Sequence, residues 1–262
     1  MLVIGELLNG MFKAVGEAVR TKNKDVIQDL ARRQVEAGAD FLDVNTGPYS
    51  KSPKDDMKWL VEVIQDAVDA PLCLDSTKAD VIEEGLKVAK KKAMINSTNA
   101  DDSKMESILP LVKKYDTYVI GLTMDKKGVP NDRMARVELA AQIISKCMEY
   151  EIDLDGLYID PVILPVNVAQ SQQPEILESM REIQVVSDPP PKLVAGLSNV
   201  SQGTKFRSLV NRTFLVMAIA NGLTAAICDP LDKELMDAMI TAELILNRSI
   251  YCDSYIDAYK KR

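Results

Sequence analysis

Residues 70–97, APLCLDSTKADVIEEGLKVAKKKAMINS, decide the fold. A short apolar run, Leu72 to Ser76, leads into ADVIEEGLKVAKK, whose apolar positions recur at three- and four-residue spacing. A second short run, Ala93 to Ser97, follows. The runs read as buried strands and the segment between them as an amphipathic helix packed across both. A helix-long connection makes the two strands parallel neighbours with a right-handed crossover. The same unit repeats outward in both directions. Strands are predicted at Leu2 to Leu8, Phe41 to Thr46, Leu72 to Ser76, Ala93 to Ser97, Tyr118 to Met124, Gly156 to Pro161, Lys192 to Ser198 and Thr224 to Cys228. Segments of helical period separate them, among them KDVIQDLARRQVEAGA, DDMKWLVEVIQDAV, RMARVELAAQIISKCMEY and DKELMDAMITAELILNR. Gly38 to Asp40 and Asn221-Gly222 stand where a helix should end and a strand begin. Eight alternating βα units can close a parallel sheet so that no edge is left bare. The predicted fold class is a single-domain α/β (β/α)8 TIM barrel spanning residues 1–262.

Composition agrees with that reading and narrows the function. A chain of 262 residues, 47% hydrophobic and 27% charged, has ordinary globular composition at the usual length of an α/β barrel. Its formal charge of −7 offers no basic field for a nucleic acid. The start, MLVIGELLNGMF, lacks the pattern of a signal peptide, and no apolar run is long enough to span a membrane, so a cytoplasmic location is expected. Cys73, Cys147, Cys228 and Cys252 show no C-x-x-C pairing, which argues against a disulfide framework, a zinc site or an iron–sulfur cluster on this chain. With 0 histidines there is no Ser-His-Asp triad, Cys-His pair or histidine-held metal. Acid and base work falls to carboxylates, Lys, Tyr or water. No strand is followed by G-x-G-x-x-G or by a P-loop, so nucleotide cofactors have no support.

The informative pattern is what each strand ends with. In order these ends carry Glu6 and Asn9, Asn45, Asp75, Asn96, Thr123 and Asp125, Asp160, Asn199, and Asp229. In a parallel barrel all of them reach one mouth, where barrel enzymes place their sites. A lone Asp or Asn after a strand is most often a helix cap or turn former. Asp125 before Lys126-Lys127-Gly128 and Asp229 before Pro230 fit that reading. Asp75, Asn96, Asp160 and Asn199 each close an apolar strand and are the better site candidates. Carboxylates accept paired N–H bonds from an amino-amidine edge, while an Asn amide both donates and accepts. A flat heterocycle with both kinds of edge, such as a pterin, suits the set.

Together, LDSTKADVIEEGLKVAKKKAMINSTN, GLTMDKKGVP, YIDPVILP and GLSNVSQG resemble the pterin-binding methyltransferase family over essentially the whole chain. Within it the chain looks most like the branch serving corrinoid/iron–sulfur proteins in the acetyl-CoA (Wood–Ljungdahl) pathway. The resemblance implies that Asp75, Asn96 and Asp160 hydrogen-bond a pterin ring and that Asn199 reaches the methyl-bearing N5. It places Gly196 and Ser198 in the same strand-end motif, and Gln202 and Arg207 where the folate or an incoming corrinoid would touch. Asn199, Asp160 and Asp75 become the expected catalytic residues. The substrate would be 5-methyltetrahydrofolate, the methyl acceptor a Co(I) corrinoid (cobalamin type) on a separate corrinoid/iron–sulfur protein, and the assembly a homodimer. No metal or cofactor would be held permanently by this chain.

Transfer from a tertiary amine is hard because N5 would leave as a strong base, so it needs a proton or a strong hydrogen bond. A neutral amide such as Asn199 can stabilise the protonating nitrogen but is too weak an acid to be the proton's source, and a water relay to a carboxylate is expected. A thiol acceptor would call for metal activation, for which the chain has no motif, whereas Co(I) needs no activation. The main rival is a dihydropteroate synthase-like condensation, whose pyrophosphate requires cations near the last strands. Ser198-Asn199-Val200 and Cys228-Asp229-Pro230 lack them. A non-catalytic pterin- or corrinoid-binding subunit is the other alternative.

Several stretches have plainer readings. Lys90 to Lys92 are expected at the solvated end of a helix. FLVMAIANG is expected to be a helix buried against the barrel or another subunit, with its methionine as core filler. Pro189 to Pro191 reads as a rigid approach to strand seven. GMFKAVGEAVRTKN, after strand one, reads as a mobile flap or a plain excursion. A folate's anionic tail needs local cations, for which Lys51, Lys205 and Arg207 are candidates.

Overall fold

The computed structural model describes residues 1–252 and Tyr255. The expected domain span runs on to residue 262, and its last part lies outside the described residues. Among them, eight strands form a closed barrel in chain order: β1 (Leu2–Asn9), β2 (Phe41–Asn45), β3 (Leu72–Asp75), β4 (Met94–Asn99), β5 (Tyr118–Leu122), β6 (Leu157–Asp160), β7 (Lys192–Gly196) and β8 (Ala225–Cys228). All neighbours are parallel, and β8 closes on β1 from Leu2↔Ala225 to Gly5↔Cys228. This is the single-domain (β/α)8 barrel that the alternation predicts. Around it run α1 (Lys13–Thr21), α2 (Lys24–Glu36), α3 (Pro53–Gln65), α4 (Ala79–Leu86), α5 (Asp102–Tyr115), α6 (Arg133–Glu149), α7 (Gln173–Ile183), α8 (Arg207–Ala220) and α9 (Lys233–Ile245). No helix of the described residues is long and apolar enough to cross a membrane.

Side-chain alternation divides the core in two. Outward-facing strand residues such as Leu42, Val44 and Leu74 join the helices in one large apolar layer. Inward-facing ones form a separate plug with one member from every strand: Ile4, Phe41, Cys73, Met94, Ile120, Tyr158, Val194 and Ala225. The plug closes the barrel's lower part, so anything bound must sit above it. Caps fix where helices start: Asp101, Asp132 and Asp232 accept the N–H of Ser103, Ala135 and Leu235, each contact worth about 1 kcal/mol. At the other ends, Gly38 and Gly222 take φ of +101° and +102°, the left-handed conformation that lets the chain turn into the next strand.

Four expectations change in detail. The segment after β1 is neither flap nor plain excursion, because Val15, Ala18 and Val19 are buried and hold it as α1. The lysines Lys90 to Lys92 lie beyond the end of α4, and pair with Asp66, Asp69 and Asp116. On α8, Phe214, Leu215, Ala218 and Ile219 are buried, but Met217 faces outward and fills no core. Strand seven stops at Gly196, and Leu197–Asn199 form a single 3-10 turn.

Candidate active site

Two residues beyond each plug member, alternation brings the next inward side chain to the carboxyl-end mouth. Ile4 is followed by Glu6, Phe41 by Asp43, Cys73 by Asp75, Met94 by Asn96, and Tyr158 by Asp160. Val194 is followed by Gly196, which leaves a gap in the wall. A Cβ built there would lie 3.0 Å from Asn199 Nδ2, so the Asn199 amide occupies the space that the glycine vacates. The four principal candidates, Asp75, Asn96, Asp160 and Asn199, therefore ring one bowl.

Hydrogen bonds tie the ring together. Asn45 Nδ2 donates to Asp75 Oδ2 at 2.7 Å, and Asn96 Nδ2 donates to Asp43 Oδ1 at 3.1 Å. Ser198 Oγ donates to Glu6 Oε1 at 2.6 Å across β8. Between β6 and β7 the ladder ends at Ile159↔Leu193. Above that point the Asp160 carboxylate accepts the Gly196 N–H, and its Oδ1 accepts the Val162 N–H at 2.7 Å. The buried Arg136 guanidinium of α6 anchors the following segment by donating to the Pro161 carbonyl at 3.0 Å. On β1 a register shift between Gly5 and Leu8 frees the Leu7 N–H, which donates to the buried Gln34 of α2 at 3.0 Å. That local irregularity sits beside Glu6 and fixes its strand.

The electrostatics are one-sided. Glu6, Asp43, Asp75 and Asp160 line the bowl, and no Lys or Arg occupies an inward position at their level. Burial pushes the Asp160 carboxyl up to about 6. Burial and the neighbouring Asp75 charge raise Asp43 well above its ordinary value, and burial raises Asp75 against the opposing hydrogen bond from Asn45. Glu6 is raised by burial more than its Ser198 hydrogen bond lowers it. In each of the four, burial outweighs the hydrogen bonds that the carboxyl accepts. The bowl is built for a ligand rich in hydrogen-bond donors and repels an anionic one.

Other candidates stand at the margin. Gln202 and Arg207 are exposed, and the Arg207 guanidinium folds onto the turn after β7, donating to Ser201 Oγ at 3.1 Å and to the Ser198 carbonyl at 3.3 Å. Asp125 and Asp229 are the turn formers expected, accepting the Lys127 and Leu231 N–H groups. Cys73, Cys147 and Cys228 are buried free thiols, and Cys252 is exposed. Asp43 was not among the strand-end candidates because it stands in the middle of FLDVN. The signal was available, since Phe41, Asp43 and Asn45 share the face opposite Leu42 and Val44.

Residues 13–229 match the profile of the family described as pterin binding enzyme. Over its full length the chain is 29% identical to a methylcorrinoid:tetrahydrofolate methyltransferase of Eubacterium limosum, covering 97% of that protein. It is 28% identical, over 87% of its length, to a methionine synthase of Mycobacterium tuberculosis, of which it spans 20%. Among solved structures, a Coxiella burnetii dihydropteroate synthase in complex with pteroic acid superposes with a TM-score of 0.70 at 17% identity, covering 95% of this chain and 94% of that one. A Yersinia pestis dihydropteroate synthase with a sulfonamide drug complex gives 0.70 at 20% identity, with the same two coverages. At these identities the structural likeness shows the fold alone.

Proposed function

The chain belongs to the pterin binding enzyme family, and on that premise we propose that it transfers a methyl group between N5 of a folate and the cobalt of a corrinoid carried by a partner protein. The single observation that carries the reading is the donor-seeking bowl, four carboxyls with no inward cation. A reduced pterin's amino-amidine edge satisfies such a site, whereas a pyrophosphate is repelled by it. The nearby Arg207 is turned onto the 198–201 backbone, which weighs against a dihydropteroate synthase-like reaction. The Eubacterium limosum relative, similar from end to end, bears the name of the same methyl exchange.

In the finer proposal, 5-methyltetrahydrofolate is the donor and the acceptor is the Co(I) corrinoid of a corrinoid/iron–sulfur protein in the acetyl-CoA pathway. Asp75, Asn96 and Asp160 hold the ring, and Asn199 meets N5. The cobalt electron pair attacks the methyl carbon in line with the C–N5 bond, whose electrons return to N5 as it takes up a proton. Glu6, raised by burial and bonded to Ser198 next to Asn199, is the carboxyl from which that proton is relayed. The Asn199 amide stabilises the nitrogen as it gains the proton. Gly196 leaves room for that amide, while Ser198, Gln202 and Arg207 form the adjoining rim. The printed name of the Eubacterium limosum relative favours a second reading, in which the methyl group runs from methylcorrinoid to tetrahydrofolate through the same site.

The outer face of α8 bears exposed Leu209, Val216 and Met217 and continues from the exposed Phe206, and we propose it as the homodimer contact. The decisive test mixes the purified chain with methyltetrahydrofolate and a Co(I) corrinoid and follows the cobalt spectrum. Appearance of methylcobalt is expected, with methylcorrinoid plus tetrahydrofolate as the reverse arm. Silence in both directions, with folate bound, converts the reading to a non-catalytic binding subunit. Asn199→Ala should slow transfer by about ten- to a thousandfold while folate binding persists, and undiminished turnover removes Asn199 from the mechanism.

A further inference from the structure

Asp160 closes β6, and Pro161 and Val162 carry the chain away from the barrel. Val162 takes φ of +61°. That left-handed conformation is sparsely populated for any residue but glycine, and least of all suits a β-branched side chain. A residue held there shows the surrounding structure imposing a conformation that the chain would otherwise leave. The way out is short. Turning over the single peptide plane between Pro161 and Val162 makes the second residue's φ negative, which is the difference between a type II and a type I turn.

Both ends of that plane are gripped. Its N–H belongs to Val162 and donates to Asp160 Oδ1 at 2.7 Å, while its carbonyl belongs to Pro161 and accepts from Arg136 Nε at 3.0 Å. Across a trans peptide the two groups point in opposite directions, so turning the plane over breaks both bonds at once. Arg136 is buried on α6 and spends its other donors on neutral oxygens, the Asp132 carbonyl at 3.2 Å and Gln172 Oε1 at 3.3 Å. Gln172 is held in turn, donating Nε2 to Asn131 Oδ1 at 2.9 Å. Among the described residues Arg136 makes no ion pair, and the Asp132 and Glu175 carboxylates act on it only from beyond ion-pair distance. A guanidinium withdrawn from water without a carboxylate partner is costly to keep, and an apolar side chain would fill the space with less penalty. What Arg136 adds over an apolar residue is a rigid fork of donors aimed at three fixed oxygens.

We propose that Arg136 is a positioning residue for the Asp160 carboxylate: by holding the Pro161 carbonyl it keeps the Val162 N–H on Asp160, and so fixes the plane in which that carboxylate faces the bowl. The positive charge at one end of the peptide also polarises the N–H at the other, which strengthens its bond to an anion. The second N–H on Asp160 comes from Gly196 of the neighbouring strand, so the Val162 bond is the one that α6 controls. The inference rests on Asp160 as a ring-binding carboxylate and deepens that reading.

The test measures the Kd of 5-methyltetrahydropterin calorimetrically at pH 7, with circular dichroism as the check on folding. Arg136→Met is expected to weaken binding about tenfold, because the peptide is then free to turn over and relieve Val162. Two combinations separate this from a merely structural loss. Adding Val162→Gly to Arg136→Met should restore affinity at least about threefold, since glycine bears the left-handed conformation without strain, whereas plain loss of packing would weaken binding further. In an Asp160→Ala background Arg136→Met should cost less than about twofold more, because no carboxylate remains to be positioned. Arg136→Lys keeps the charge and loses the fork, so it carries the same comparisons at a smaller cost to folding, with an expected loss of about threefold. Full affinity in the Arg136 variants, no recovery with Val162→Gly, or an equal loss in both backgrounds overturns the positioning role and leaves the bowl intact, as does failure of both Arg136 variants to fold. An Asp160→Ala protein that binds as the wild type does, or a wild type that binds no pterin, overturns the reading of the bowl on which the inference stands.

Discussion

Removing the charge from Asp160 provides a test whose size follows from its surroundings. In the free protein burial holds this carboxyl at about 6. A ligand presenting N–H donors binds the ionised form, so affinity should track ionisation. With that value about nine-tenths of the sites are ionised at pH 7 and about one-tenth at pH 5. Wild-type affinity for 5-methyltetrahydropterin should therefore fall about tenfold between those pH values and flatten above pH 7. Asp160→Asn keeps an acceptor for the Val162 N–H but turns an NH2 toward the ligand's donors. Losing charge-assisted hydrogen bonds costs about 2–3 kcal/mol, or about 30- to 150-fold in Kd at pH 7. Any titration of the ligand itself is common to both proteins and cancels in their ratio. The measurement is calorimetric Kd at pH 5, 6 and 7. The ratio of variant to wild type should narrow about tenfold toward pH 5. A ratio constant with pH, or a variant within twofold of wild type at pH 7, would refute the role given to this carboxylate.

Two further outcomes follow from the same geometry. Gly196→Ala should dislodge the Asn199 amide, whose Nδ2 lies 3.0 Å from the added Cβ, and lower kcat at least about tenfold with pterin Kd changed less than about threefold; Gly156→Ala, whose Cβ would meet its nearest atom at 3.7 Å, is the control that should leave both unchanged in stopped-flow cobalt spectra. Asp43→Asn should raise Tm at pH 7 by a few degrees, because a carboxyl raised in the folded state binds its proton more tightly there than in the unfolded chain and loses stability as pH rises through that window. The gain should fade below about pH 4, where Asp43 is protonated in both states, and a lower Tm at pH 7 contradicts the assignment.

The barrel was legible because each strand and helix announces itself locally. The period change between Leu72–Asp75 and Ala79–Leu86 needs no distant partner to be read. Strand-end Asp75, Asn96 and Asp160 were legible for the same reason. Asp43 was obscured by reading only the ends of strands, although alternation within β2 points it inward. Glu6 was visible at its strand end, but its link to Ser198 joins residues 192 apart and depends on barrel closure. Gly196 as the space for Asn199 is a property of a turn's shape, which strand periodicity does not encode. The outward Met217 and the post-helical Lys90 to Lys92 show composition being overruled by where a helix stops and which way it faces.

The bond between Ser198 and Glu6 spans the seam at which the barrel closes. Glu6 stands on β1 and Ser198 in the turn after β7, and the two meet only across β8, so a chain without β8 has unclosed sheet edges and an incomplete ring of acids. The seam strand contributes none of the four carboxyls, yet its presence is a condition of their assembly.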